Sequence, residues 1–187
     1  QTALHLACAS GREGVVRLLL GSEGSMDLIS ATELSRKTPL HHAAFNGHLG
    51  VCHELLCKAA ELCGWGNLTK WVAGQQDAEG CSPLHYAASM GDSSVVGLLA
   101  GLGGARRLLR QCDYNGMTPL MHAARNGNQE AVEALLSAHA HRCCRRHTLC
   151  KKDIFGLTAQ DHAREGQHAD CVRALLTAAG ALEGADA

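Results

Sequence analysis

The chain has 187 residues, and 46% of them are hydrophobic, so it is long enough to bury a core. Its formal net charge of −1 argues against a binder of nucleic acid or of acidic membranes. We find no apolar run long enough to span a bilayer and no signal-peptide pattern. Only 3% of the residues are aromatic, so we expect a core of Leu, Val and Ala on helices.

Ten cysteines could indicate a disulfide framework, but such frameworks belong to short secreted chains without an adequate core. Several cysteines, including Cys8, Cys52 and Cys171, fall at core-like helical positions, where a free thiol acts as a small hydrophobe. We therefore expect a reducing intracellular location, in the cytoplasm or the nucleus. Because the sequence starts at Gln1, we expect a segment of a longer chain.

One string recurs five times along the chain. Its copies start at Thr2-Ala-Leu-His5, Thr38-Pro-Leu-His41, Ser82-Pro-Leu-His85, Thr118-Pro-Leu-Met121 and Thr158-Ala-Gln-Asp161. Thr or Ser predicts the N-cap of a first helix, and Pro suits its first turn. Alanines and a glycine follow, then Val and Leu pairs that predict the apolar face of a second helix. Each unit must therefore stack on its neighbours to bury that face.

These five strings resemble the ankyrin repeat family, whose pattern includes Thr-Pro-Leu-His, paired Ala, Gly-His, and paired Val and Leu. The resemblance covers residues 1–187 and implies a single all-α domain, a solenoid of stacked helix–turn–helix units with β-hairpin-like loops. We expect repeats to begin near residues 2, 38, 82, 118 and 158. Arg36 stands where Gly80, Gly116 and Gly156 occupy the other hairpins.

The repeat starts are 36, 44, 36 and 40 residues apart, against about 33 in the family. We expect the extra residues to leave the stack as loops, with two larger insertions near 57–76 and 139–152. The first insertion holds Trp65 and Trp71, and within it 67–74 predicts a short capped helix. The segment 104–110 has a similar pattern.

The segment 139–152 is rich in Cys, His and Arg. Cys143 or Cys144, with His147 and Cys150, offers three zinc ligands, but no Cys-x-x-Cys pair is present and cations crowd the segment. We favour a solvated basic loop without metal. A contact for an acidic partner and a nuclear import patch remain alternatives.

No constellation of residues predicts catalysis. The resemblance assigns His5, His41 and His85 to hydrogen bonds that bridge repeats, and no triad, Walker loop or His-Glu-x-x-His motif remains. We therefore expect a protein that is not an enzyme, with no cofactor and no small-molecule substrate.

The resemblance places protein partners on the concave side, which the hairpin tips and the exposed ends of the first helices form; we call it the tip face. Aromatic, Met and other apolar side chains there are typical anchors, and polar neighbours would form a rim. Our candidates are Phe45, Met90, Tyr114, Asn115, Met117, Arg125, Asn126, Ile154, Phe155, Leu157 and Arg164. The alternative for each apolar residue is that it joins one hairpin to the next.

Three functions remain open at this point. The first is a non-catalytic scaffold that binds a protein partner on the tip face. The second is a structural segment of a large assembly that contacts its neighbours through Trp65, Trp71 and the segment 139–152. The third is the regulatory ankyrin region of a larger enzyme or channel.

Overall fold

The computed structural model of the protein describes residues 1–22, 24–138 and 142–183, and only the backbone at 142–144, 182 and 183. Every regular element within these ranges is helical. The first helices of the five units are α1 (Ala3–Ala9), α4 (Pro39–Phe45), α7 (Pro83–Met90), α10 (Pro119–Arg125) and α13 (Ala159–Glu165). The second helices are α2 (Glu13–Leu20), α5 (Leu49–Cys63), α8 (Ser93–Ala100), α11 (Gln129–Ser137) and α14 (Ala169–Glu183).

The units stack in register. Each first helix packs on the first helix of the next unit, and each second helix packs on the second helix of the next. Leu40, Leu84 and Leu120 lie at the same position of successive first helices and are fully buried, and the paired alanines beside them allow the helices to approach closely. The predicted all-α ankyrin-type solenoid is confirmed.

The first helices begin where the Thr and Ser residues predict. In the second unit, the Nδ1 atom of His41 accepts the backbone N–H of Thr38 at 3.0 Å and lies 2.8 Å from its hydroxyl. The Nε2 atom of the same ring donates to the carbonyl of Cys81 in the next hairpin at 3.1 Å. His5 reaches Lys37 and His85 reaches Met117 in the same way. The predicted bridging role of these histidines is confirmed.

A third helix follows the second helix in the first four units. These short helices are α3 (Ser25–Ser30), α6 (Leu68–Trp71), α9 (Arg106–Arg110) and α12 (Arg142–Cys150), and a 3₁₀ turn at Trp65–Asn67 precedes α6. The short helix predicted within 67–74 is present as α6, and the segment 104–110 with its similar pattern contains α9. Elsewhere the extra residues form helices where we expected loops. Residues 57–63 continue α5, and 142–150 form α12 in place of the expected solvated loop; 139–141 lie outside the described residues.

The hairpin loops stack through backbone hydrogen bonds. Tyr114 donates its N–H to the carbonyl of Glu79 at 3.1 Å, and Ile154 donates to that of Asn115 at 3.0 Å. Arg36 has a φ of 60°, in the left-handed region where the other hairpins have glycine. No described helix combines the length and apolar character that a membrane-spanning segment needs.

Candidate protein-binding surface

Each hairpin from the third unit onward is held by an aspartate at its start. The Oδ1 atom of Asp153 accepts the backbone N–H groups of Phe155 and Leu157, both at 2.9 Å. Asp113 accepts those of Asn115 and Met117 in the same pattern, and Asp77 does so in the third unit. The carboxylate thus fixes the turn, because it satisfies two backbone donors that a tight tip would leave unpaired.

The other carboxylate oxygen ties the hairpin to the first helix of its own unit, nine residues further along the chain. Asp153 contacts the Nε2 atom of His162 at 2.8 Å, and Asp113 contacts that of His122 at 2.9 Å. Burial opposes the ionisation of both aspartates, but the hydrogen bonds from these histidines and from the backbone outweigh it, so the pKa of each carboxyl is lowered. The tips are therefore held on a rigid support.

The side chains at the tips project into solvent. Tyr114, Ile154 and Phe155 are 64%, 63% and 74% exposed, so no described part of the chain covers them. Asn115 is exposed beside Tyr114. Leu34, at the equivalent tip position of the second hairpin, is also fully exposed. Sequence analysis did not include Leu34, although its position one residue after the hairpin acid matches Tyr114 and Ile154.

A groove of about 400 Å³ opens beside the fifth hairpin. Its lining includes Arg125, at the end of α10, together with Phe155, Leu157 and the fifth-unit residues His162 and Glu165. The structure thus brings three of the predicted residues together around one groove. It adds His162, which sequence analysis left out, although its distance of nine residues from Asp153 repeats that between Asp113 and His122.

Met117 is not an exposed anchor, and that expectation was wrong. Its side chain is only 3% exposed and packs within the core, next to the guanidinium of Arg125. In the third, fourth and fifth units the N–H of the fifth hairpin residue donates to the hairpin aspartate, and the side chains of Cys81 and Met117 at this position are buried. Leu157 occupies the same position in the fifth unit and is partly buried.

The remaining candidates have mixed surroundings. Phe45 is 46% exposed, and its ring packs edge-on against Tyr86 at 5.8 Å, so it also joins two units. Met90 is exposed at the end of α7. Asn126 donates to the carbonyl of Ser89 at 2.9 Å and therefore connects the third unit to the fourth. Arg164 is exposed, 3.9 Å from Asp161.

One group of metal-ligating atoms occurs among the described residues. Cys81, Asp113 and His122 offer ligand atoms within 4.8 Å of one another. Burial raises the pKa of the Cys81 thiol to about 12, however, which keeps it protonated, and Asp113 already accepts hydrogen bonds on both oxygens. Asp153 and His162 form the same pair without a cysteine, so we attribute the cluster to hairpin packing.

The remaining cysteines whose side chains the structure describes belong to no further group of metal-ligating atoms. Cys8, Cys52 and Cys171 are buried, as predicted, and burial raises the pKa of all three thiols. Cys150 and His147 of the zinc alternative are exposed on α12, while the side chains of Cys143 and Cys144 lie outside the described residues.

Stacked helical repeats joined by hairpin loops define a solenoid protein of the ankyrin type. The sequence model described as ankyrin repeats (3 copies) matches the chain at residues 1–64, 30–106 and 64–147. The chain belongs to the ankyrin repeat family.

Similar proteins include larger multidomain proteins. The chain is 34% identical over 138 residues to the human transient receptor potential cation channel subfamily A member 1. The aligned residues make up 74% of this chain and 11% of the channel subunit. The chain is 31% identical over 139 residues to the tyrosine-protein kinase HTK16 of Hydra vulgaris, 74% of this chain and 17% of the relative. It is 30% identical over 200 residues to the ankyrin repeat protein nuc-2 of Neurospora crassa, 94% of this chain and 17% of the relative. The chain thus spans about a tenth to a sixth of their lengths.

Proposed function

We propose that this array is a non-catalytic interaction scaffold that binds a protein partner at the tip face of the fourth and fifth units. The observation that carries the proposal is the groove beside the fifth hairpin. Phe155 and Leu157 give it an apolar wall, and Arg125 and Glu165 give it charges of both signs. Interfaces of proteins are typically built this way, with aromatic anchors and Arg near the centre and polar groups around them.

The rigidity of the tips supports this assignment. A tip that is already ordered loses little conformational entropy when a partner binds, so more of the contact energy appears as affinity. Asp113 accepts the N–H of Asn115, next to Tyr114, and Asp153 accepts the N–H of Phe155, and neither bond involves the exposed rings. Truncation of these rings should therefore weaken binding without unfolding the hairpins.

The test is partner capture from a cell lysate with quantitative mass spectrometry. The wild-type array is compared with Tyr114→Ala/Phe155→Ala, after circular dichroism shows that both are folded. The matched control is Trp65→Ala/Trp71→Ala, since these rings are comparably exposed outside the tip face. We expect specific partners to fall by at least about tenfold in the tip variant only. Loss in the tryptophan variant alone would contradict the proposal and favour an assembly segment that binds through its insertions.

The relatives favour a second candidate, the regulatory ankyrin region of a larger protein. They include a cation channel and tyrosine-protein kinases, and the chain matches only a small share of each. In this case the partner at the tip face would be another part of the same polypeptide. Capture experiments with the remaining segments of the full-length protein, using Tyr114→Ala/Phe155→Ala as the negative control, separate the two candidates.

A further inference from the structure

The basic residues of the chain are unevenly distributed. Segments 104–112 and 142–152 hold eight of the 17 lysines and arginines and no acidic residue. The rest of the chain has nine basic and 18 acidic residues. The net charge near zero therefore conceals two strongly basic segments, and both are built around third helices.

The structure brings the two basic segments together. Helix α12 packs against α9, and the charge of Lys151 partly offsets the burial that raises the pKa of the Cys112 thiol just after α9. We call the combined surface the basic ridge. Its described members are Arg106, Arg107, Arg110, Arg145, Arg146, Lys151 and Lys152.

The arginines of α9 surround a groove of about 610 Å³. Arg106, Arg107 and Arg110 are all exposed, and none forms an ion pair with a described residue. Like charges three and four residues apart repel each other along a helix. A bound anion would relieve this repulsion, and guanidinium groups hold carboxylates through paired hydrogen bonds.

The floor of the groove contains two glutamine side chains. Gln76 donates to the carbonyl of Cys112 at 2.8 Å, and Gln111 donates to that of Gly74 at 3.0 Å. The side-chain oxygen of Gln111 is buried and accepts no hydrogen bond from the described part of the chain. Because this oxygen is closed to solvent, a ligand in the groove would not reach it, and recognition would depend on the arginines.

We propose that the basic ridge binds an acidic peptide segment of a partner protein. Carboxylate side chains of this segment would pair with the arginines through paired hydrogen bonds. Charge complementarity with the arginines favours an acidic ligand. A short peptide is favoured over a nucleic acid or a phosphatidylserine surface, because the rest of the chain has 18 acidic and nine basic residues and would repel an extended anionic surface. This interface lies on α9 and α12 and does not include the residues of the tip face.

The test measures fluorescence anisotropy of a labelled dodecapeptide of alternating Asp and Glu, added to the whole 187-residue chain. The variant is Arg106→Gln/Arg107→Gln/Arg110→Gln. The control, Arg12→Gln/Arg17→Gln/Arg173→Gln, removes three positive charges from exposed arginines outside the ridge. We expect the ridge variant to raise the Kd at least about tenfold and the control to change it less than about twofold, with the wild-type affinity falling as salt rises.

Three further arms complete the design. The uncharged Asn/Gln dodecapeptide should bind at least about tenfold more weakly than the acidic one. A dT12 oligonucleotide and vesicles of phosphatidylserine and phosphatidylcholine should also bind more weakly, and tighter binding of either would overturn the proposal. Equal losses in the ridge and control variants, or no binding of the acidic peptide, would overturn it too.

Tyr114→Ala/Phe155→Ala should bind the peptide like wild type, which keeps this result separate from the proposed function of the tip face. Circular dichroism verifies the folding of each variant, and Arg107→Gln alone serves if the triple variant unfolds.

Discussion

The junctions among the first four units differ from the junction between the fourth and fifth in one buried side chain. His5, His41 and His85 each cap their own helix and donate to a carbonyl of the next hairpin. In the fourth unit Met121 occupies that position. Its sulfur lies 3.4 Å from the N–H of Thr118, so it can accept at the cap, but it has no proton to donate onward.

The fifth unit therefore lacks the histidine hydrogen bond that the junctions among the first four units share. Across this junction Ile154 donates its N–H to the carbonyl of Asn115, and His168 contacts the carbonyl of Arg125 at 3.1 Å. The carbonyl of Leu157 receives no hydrogen bond from Met121, whereas the equivalent carbonyls of Lys37, Cys81 and Met117 each receive one from a histidine. The exposed rings and the groove of the tip face lie at this more weakly bridged end. In our proposal, the first three units provide stability and the last two provide the binding surface, since functional regions are commonly drawn from the less stable part of a fold.

The largest expected effect is a loss of stability in acid. Burial lowers the pKa of His41 to about 4 and that of His85 to about 3, whereas an unfolded imidazole titrates near 6.5. Below pH 6.5 the two histidines bind protons in the unfolded chain but stay neutral in the folded chain. Their contribution to the free energy of unfolding is therefore complete above pH 6.5 and is lost as the pH falls towards 4. By pH 4.5 the two histidines together should cost about 5 kcal/mol. Urea unfolding at pH 7.0 and 4.5 measures this, and an unchanged midpoint would contradict it.

The second prediction converts a histidine junction into the fourth-unit type. His85→Met should lower the free energy of unfolding at pH 7 by about 1 kcal/mol, because the buried hydrogen bond to the carbonyl of Met117 is lost while the sulfur can still accept at the cap. It should also remove about half of the acid dependence. Urea unfolding across pH 4.5 to 7 checks both effects, and a variant with the wild-type pH dependence would show that the ring is not the titrating group.

The reverse substitution should strengthen the weaker junction. Met121→His places a donor opposite the carbonyl of Leu157 and should stabilise the fifth unit by about 1 kcal/mol at pH 7. Hydrogen exchange of the amides in α13 should slow correspondingly. Faster exchange would contradict this prediction, because it would mean that the packing of the methionine stabilises the fifth unit more than the hydrogen bond of the histidine does.

The smallest expected effect concerns the second bridge at the fifth unit. His168→Ala removes a partly exposed hydrogen bond worth about 0.5 kcal/mol. Its control is His48→Ala, which removes the equivalent hydrogen bond to the carbonyl of Ala9 at 3.1 Å. The junction of the first two units, where this bond lies, is also bridged by His5. Limited proteolysis should detect opening near α13 only for the first variant, and equal cleavage of both would break the comparison.

Sequence reasoning predicts the helix starts well because local chemistry sets them. Thr or Ser followed by Pro fixes the caps, and His41 or His85 completes them three residues later. The third helices were harder to predict, since five-residue or six-residue segments such as α9 are stable only where they pack on neighbouring units.

The site was predicted in part for a similar reason. Tyr114 and Phe155 follow directly from their place at the hairpin tips, and they are exposed. The side chain of Met117 points inward, and neither that direction nor the contact between His162 and Asp153 can be read from residue types alone. A spacing of nine residues, repeated in two units, is a signal that later sequence analysis can use.

The most direct test of the account is hydrogen exchange, monitored by mass spectrometry, of the array with and without a partner captured as described above. We predict slower exchange in the peptides that contain 113–117 and 153–157 when the partner is bound, with 65–76 unchanged. Protection confined to 65–76, or none at either hairpin, would contradict the assignment of the tip face as the binding surface.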